Sequence, residues 1–493
     1  MIPGSRGLSH APSLRLPPIA SHPFPSEGPA TPTVDPHDPP DPTSETPALD
    51  PASDAPAPEP ASSPSAPRTL RSRARGLFAD TRPLQNLHFK RLWQANIITV
   101  IGAQITIITV PAQLWALTGS SLYVGLTGLF GLVPLVVLGL WGGAIADAFD
   151  RRRILLVTTL GLILTSGLFA AQALLQVRNV WVILGIFAAQ QAFFAVNQPA
   201  RTALIPSLVP RDQLPAANAL NMTVGQFGAI AGPLVGGALL PFLGFSLLYL
   251  IDTVCLLATL WAVLRLPALK PEGAIARPGL RSILDGFVYT WKHKILLVSF
   301  AVDLIAMVFG MPRALYPQLA DQSFGGPAQG GMEFAALSVA MALGALLGGI
   351  FSGWLGRVHR VGLAVLIAVG VWGLVVMGFG GATWLAGGRA MPWLAVAVAF
   401  MAAGGIADMI SMVFRQTMLQ GAASDAVRGR LQGVFLVVVA GGPRFADVAH
   451  GAAADVLGAP LTVVLGGALV VLGVAACGVL VPQFTRYRVG PGR

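Results

Sequence analysis

Three carboxylates, Asp252, Asp303 and Asp408, sit well inside long apolar runs. A carboxyl kept away from water can bind and release a proton instead of holding a permanent charge, which is the chemistry needed to pass protons through an apolar medium. The plainer use of each is as a neutral or ion-paired structural acid. A second constellation, Arg444, Asp447, His450 and Asp455, interrupts another apolar stretch. Arg444 and Asp447 are three residues apart, share a helix face and can pair. His450 falls on the same side and carries a ring that ordinarily titrates near neutrality. The group reads as a structural ion pair, or as a gate or anion site. Arg313 adds a further cation near the end of its own apolar run. Arg313 and Arg444 can attract an anionic ligand, with Gln104, Gln113 and Gln191 as hydrogen-bonding partners. Trp115, Phe193, Phe194, Met307, Met409 and Met412 offer stacking and an adaptable apolar wall, although helix packing is the commoner use of such residues.

No HExxH or GxSxG is present, so no catalytic residues are assigned and an embedded enzyme is disfavoured. The two cysteines, Cys255 and Cys477, lie in apolar runs without a CxxC and read as packing thiols. Neither a metal nor a cofactor is expected.

The elements that must position these groups are apolar segments. Of 493 residues, 54% are hydrophobic and only 11% charged. A soluble domain carries about 25% charged residues, so the deficit points to a bilayer. Twelve spans are expected near 95–117, 122–146, 154–176, 180–199, 217–241, 243–265, 295–317, 333–355, 361–384, 391–414, 431–457 and 461–482, each about the 20 residues needed to cross. Ahead of them, residues 1–85 form a Pro/Ala/Ser-rich tail too poor in bulky apolar residues to fold. It lacks the apolar core of a signal peptide, and a basic patch from Arg68 to Arg91, at its end and just beyond it, is suited to anionic lipid. The net charge of +10 is explained by topology rather than nucleic acid. Arg151, Arg152 and Arg153 fix one loop as cytoplasmic. With both termini on that side, only Arg178, Arg313, Arg389 and Arg444 of the 32 Lys and Arg fall elsewhere, so Arg201 and Arg415 are assigned to cytoplasmic loops.

The longest internal loop, 266–294, carries the amphipathic stretch Ile283–Trp291 and separates two halves, 86–265 and 295–493. An internal repeat supports the division. Gly348–Arg360 (GGIFSGWLGRVHR) echoes Gly142–Arg153 (GGAIADAFDRRR), and Gly232–Pro233 recurs as Gly442–Pro443 at nearly the same offset. Duplicated units of this kind build central sites that open to either side. The halves are chemically unequal, since the fifth span lacks the polar groups of the eleventh.

These motifs resemble those of the major facilitator superfamily. Gly143, Asp147, Asp150, Arg151 and Arg152 fall on its loop motif after helix two, G-x-L-A-D-R-x-G-R-R/K, with Asp150 in place of the usual Gly. The resemblance implies a lock between the cytoplasmic ends of the two halves. It is one-sided here, because Gly353 replaces the Asp in the second copy. Gly228, Gly232, Pro233, Gly236 and Gly237 resemble the helix-five motif G-x-x-x-G-P-x-x-G-G, which the resemblance ties to exporters working as antiporters. Within the superfamily the chain is similar to the enterobactin-exporter group over roughly residues 85 to 485. The likeness lies in Gln198–Pro206 with Asn218–Asn221, in Arg313–Asp321, and in Thr417–Gln420 with Gly429–Arg430. Span four has Gln190, Gln191, Asn197 and Gln198 where many drug antiporters place a coupling Arg.

The expectation is an all-α membrane protein of twelve transmembrane helices in two pseudo-symmetric six-helix bundles, preceded by a disordered tail. It is a monomer in the cytoplasmic membrane whose partners are lipid, protons and a small-molecule substrate, with no nucleic acid. The resemblance implies proton-coupled export of a siderophore or related polar metabolite. Multidrug or macrolide efflux is the alternative, and a non-transporting sensor or scaffold is a weaker one.

Overall fold

The computed structural model describes residues 80–148, 150–267, 290–291, 293–422 and 425–488, with side chains described outside 140–148, 420–422, 425–437 and 440. The tail through residue 79 and most of the 266–294 connector therefore lie outside the described residues, and at Gly143, Asp147, Gln420, Gly429 and Arg430 only the backbone is described.

Every long element among them is a helix: α1 Leu87–Thr118, α2 Ser121–Ala148, α3 Arg151–Leu174, α4 Val180–Leu208, α5 Leu214–Leu264, α6 Lys294–Gly310, α7 Met332–Ile350, α8 Val361–Ala386, α9 Trp393–Ala422, α10 Asp425–Leu457 and α11 Ala459–Leu480. Among the described residues, ten helical stretches are long and apolar enough to cross a membrane. The chain is a multi-pass membrane protein.

Local chemistry sets the helix ends. Asn86 caps α1, accepting from the backbone of His88 and Phe89 at 3.0 and 3.1 Å, while its amide donates to the Leu208 carbonyl at the end of α4. Asp150 and Asn179 cap α3 and α4 in the same way. Gly119 closes α1 with a φ of 62°, a left-handed value that glycine adopts without a Cβ penalty. The 51 residues of α5 would run about 77 Å if straight, far beyond a hydrocarbon core of about 30 Å. The element instead turns back at Gly244, whose φ of 69° and ψ of 176° are non-helical.

Water does not drive helices together inside a bilayer, so close approach relies on small residues. Gly228, Gly232 and Gly236 of α5 lie against Val100, Gln104 and Ile108 of α1, matching a step of four on both helices. Gly442 of α10 lies on Met307 of α6. Outward, α3 exposes the stripe Val157, Leu160, Leu164 and Leu168, and α8 exposes Ile367, Val371 and Leu374. These stripes face the surface that lipid covers. At the end where α1 starts and α4 finishes, Arg91 and Arg265 lie over the Trp261 ring at 5.9 and 4.7 Å.

Several boundaries differ from expectation. Span four does not stop near residue 199; α4 continues through Pro199 and Pro206 to Leu208. The expected span 295–317 is broken after Gly310 and continues to Ser323 as short turns. The helix expected over 333–355 ends at Ile350 and is followed by the short turn Ser352–Arg357. Arg201 and Arg415 are not loop residues. Both lie within helices, and Arg415 is 4% exposed.

Candidate functional site

A cavity of about 890 Å³ runs between helices of the first and second parts of the chain. It reaches the end of the bundle where Phe89, Trp93 and Asn96 begin α1, Arg201 and Ile205 end α4, and Asn221 and Met222 begin α5. Its deep end is walled by Arg313, Tyr316, Arg444 and Asp447.

The opposite end of the bundle is closed by contacts across the two parts. Trp115 of α1 donates from Nε1 to Asp321 at 3.0 Å. The backbone N–H of Ser121 donates to Asp455 at 2.9 Å, and the Ser120 hydroxyl donates to the other oxygen of the same carboxylate. The Ser121 hydroxyl meets Gln318 at 2.7 Å. Asp455, on α10, thus caps the N-terminus of α2, where an anion faces the unpaired N–H groups and positive pole of the helix. The close approach depends on bare backbone: a Cβ on Gly125 or Gly451 would run into Asp447 and Ser121 respectively, and one on Gly237 would stand 2.6 Å from Ala335.

Of the three expected acids, Asp252 is the one in the cavity wall. It is 1% exposed and accepts from Thr106 of α1 at 2.7 Å and from Ser166 of α3 at 2.9 Å, both on Oδ2. Its Oδ1 accepts no hydrogen bond among the described residues. Asp303 is instead in a fully buried ion pair with Arg415 of α9, in a small enclosure with Leu296, Ser299, Phe300 and Leu419 that is separate from the main cavity. Asp408 lies in α9 outside the cavity wall.

The α10 cluster is arranged differently from the local pairing expected. Asp447 pairs with Arg313, from the turn after α6, at 3.2 Å. Arg444 reaches across to the Gln191 side-chain oxygen at 3.5 Å. His450 is buried behind the wall, with Nε2 3.0 Å from the Phe309 carbonyl. Gln104 and Gln191 line the cavity, but Gln113 does not. Gln113 and Gln172 exchange amide hydrogen bonds at 3.0 and 3.1 Å, and the Tyr249 hydroxyl donates to Gln113 at 2.9 Å. That closed network leaves Gln113 facing the interior of the helix packing. Phe194 lines the cavity, whereas Trp115, Phe193, Met307, Met409 and Met412 do not.

Arg151 and Arg152 of the loop motif bind acceptors within the first part of the chain. Arg151 donates to the Ala203 carbonyl at 3.0 Å and to the Ser207 hydroxyl at 3.2 Å, and Arg152 donates to the Leu264 carbonyl at 2.8 Å. They brace α3 against the ends of α4 and α5. In the second motif, Gly228, Gly232 and Gly236 set the α1–α5 contact while Gly237 faces α7, and Pro233 lines the cavity.

Arg201 and Arg415, expected in cytoplasmic loops, both carry charge into the interior. Arg415 answers Asp303. Arg201 lines the cavity with Nη1 donating to Asn96 at 2.7 Å. For Arg201 the available signal was the apolar stretch Ala203, Leu204 and Ile205 beyond it, which carries the helix on past Pro199. No group of three or more His, Cys, Asp or Glu able to hold a metal occurs among the described residues.

A membrane bundle enclosing a large cavity with charged and amide walls is built as a transporter of small molecules. The chain belongs to the transmembrane secretion effector family of the major facilitator superfamily, whose model matches residues 79–487. It is 30% identical over 433 residues to the enterobactin exporter EntS of Escherichia coli and of Escherichia fergusonii, covering 82% of this chain and 94% of either relative. Its fold is similar to a bacterial homologue of the lysosomal transporter Spinster in an inward-facing, unoccupied conformation, with a TM-score of 0.63 and 15% identity over 84% of this chain and 100% of that one. A bacterial homologue of the iron transporter ferroportin, inward-facing, gives a TM-score of 0.60 and 15% identity over 81% and 99%. These relatives are transporters and not enzymes, and the chain is a transporter of the exporter kind.

Proposed function

We propose that the protein exports a siderophore or related small polar metabolite across the cytoplasmic membrane in exchange for protons, by alternating access. The observation that carries this reading is the cavity itself. It holds a buried carboxylate, Asp252, beside a run of cations and amides, and it reaches one end of the bundle while the other end is shut. The likeness to an enterobactin exporter supplies the substrate class.

Twelve spans in two six-helix halves, 86–265 and 295–493 around the 266–294 connector, fit the helices. The element that turns at Gly244 counts as two, and Asp425–Leu457 adds one more. The α1–α5 and α6–α10 contacts, each resting on the Gly of a Gly-Pro pair, are what a duplicated unit requires. Arg91, Arg151, Arg152 and Arg265 gather at the end the cavity reaches, and that end is assigned to the cytoplasm with both termini. The conformation is then inward-facing. In this scheme Asp252 takes the proton, and Arg313, Arg444, Asp447, Gln104 and Gln191 meet the substrate. The Asp147 and Arg motif engages the other half only when the cavity opens outward. The protein works as a monomer.

The test is the distribution of siderophores between medium and cells after iron starvation, with and without the gene. Loss from the medium with accumulation inside supports export. An unchanged distribution overturns the siderophore reading and directs attention to drug or macrolide efflux, for which the apolar surface offered by Phe194, Met222 and Met341 is suited.

A further inference from the structure

Of the three arginines in the cavity wall, Arg313 pairs with Asp447 and Arg444, on the same helix as Asp447, donates to Gln191, whereas Arg201 takes part in no ion pair among the described residues. Its Nη1 is held by the neutral Asn96 side chain, and its buried Nη2 makes no hydrogen bond among the described residues. Arg201 is partly buried, and a guanidinium drawn out of water without a counter-charge is costly. A guanidinium with one edge fixed and a nitrogen left over is preset to receive paired anionic oxygens in its fork.

The placement along α4 gives this site a partner. Gln190, Gln191, Phe194, Asn197, Gln198 and Arg201 all face the cavity, so α4 forms one continuous wall. Gln191, which contacts Arg444, is ten residues before Arg201, or about 15 Å along the helix axis. The cavity therefore presents cationic groups at both its deep end and its mouth, with apolar and amide surface between.

We infer that Arg201 and Asn96 form an anion-recognition subsite at the mouth of the cavity, separate from the Arg313–Asp447–Arg444 cluster, and that it selects organic anions bearing a carboxylate or catecholate for transport. This rests on the exporter reading and narrows its substrate class. Arg201 fixes the charge of the substrate, and the deep cluster and the apolar wall accommodate the rest.

Calorimetric titration of the full chain in a neutral maltoside detergent tests the subsite with two probes that share a catechol ring and differ in charge, 2,3-dihydroxybenzoate and uncharged 2,3-dihydroxybenzamide. The wild type is expected to bind the benzoate about tenfold more tightly or better, the range of a charge-assisted hydrogen bond. Arg201→Gln removes that preference and leaves benzamide binding in place, while Arg201→Lys keeps part of it. Should Arg201→Gln not fold, Asn96→Asp provides the same information, because it supplies a carboxylate to Arg201 internally and is expected to abolish the preference with the Arg intact. An unchanged preference in either folded variant, or no preference in the wild type, overturns the inference. So does competition by phosphatidylglycerol but not phosphatidylcholine, which would make Arg201 a lipid-headgroup site. The cellular export measurement decides the functional reading separately, so export that persists without the charge preference removes the subsite alone.

Discussion

A carboxylate and a guanidinium meeting inside an apolar bundle, as Asp303 and Arg415 do, depend on each other more than they stabilise the fold. Removing one partner strands the other charge and costs about 3–5 kcal/mol, whereas replacing both is far milder. Asp303→Asn is therefore expected to lower the melting temperature of the purified protein markedly, and Asp303→Asn with Arg415→Gln to recover much of the loss. Equal losses in the single and double variants would show that the two groups are not coupled. Asp252 calls for the opposite outcome. Its carboxyl is held by two hydroxyl donors that an amide oxygen also satisfies, and it faces the cavity. Asp252→Asn should keep the fold and lose proton coupling. Export by the wild type should collapse when a protonophore dissipates the gradient, and the residual export of the variant should not respond. A variant that still responds would move the coupling role away from Asp252.

The glycine motif of α5 acts at the scale of helix pairs, and its members face different neighbours. Gly232 sits on Gln104 of α1, while Gly237 sits against Ala335 of α7 at the closed end. A side chain at Gly237 must push α7 away, and overpacking of this kind costs about 1–3 kcal/mol. Gly237→Val is expected to loosen the closed end, seen as faster thiol labelling of a cysteine placed at Ser120 in a background where Cys255 and Cys477 are serine. Unaltered labelling would mean that the α5–α7 contact does not hold that end shut. The elements themselves were largely legible in the sequence, because long Leu/Val/Ala/Gly runs have few other uses and the Gly-Pro repeat marks equivalent helices. Errors arose where local rules met tertiary context. Pro199 reads as a helix end, yet a membrane helix tolerates proline when neighbours satisfy the freed groups, so Arg201 was placed in a loop instead of the cavity wall. The three-residue spacing of Arg444 and Asp447 suggested a pair, but Arg313, 134 residues away in the chain, takes the carboxylate. Gln113 looked free to meet a ligand because nothing in the sequence shows Gln172 and Tyr249 closing on it.

At the scale of the whole molecule, the closed end behaves as a set of polar latches laid over bare backbone contacts. Asp455 reaches from α10 to the first turn of α2, Asp321 receives Trp115, and Gln318 meets Ser121, so three separate side chains from beyond α6 hold α1 and α2. Each polar latch is worth little alone, on the order of 1 kcal/mol, so the junction does not rest on any one of them. If transport proceeds by alternating access, fixing this junction must stop it without harming the cavity. Ser120 and Asp455 are bonded side chain to side chain and reachable from outside the core, so Ser120→Cys with Asp455→Cys, again with Cys255 and Cys477 replaced by serine, places two thiols within reach of a short bis-methanethiosulfonate, which joins them through reducible disulfides. Cross-linking is expected to abolish export from cells or vesicles while leaving probe binding in the cavity near its uncross-linked value, and a reductant that cleaves the linker should restore export. Full export by cross-linked protein would show that substrate leaves by a route that does not pass between these helices, and the two-sided opening of the cavity would have to be abandoned.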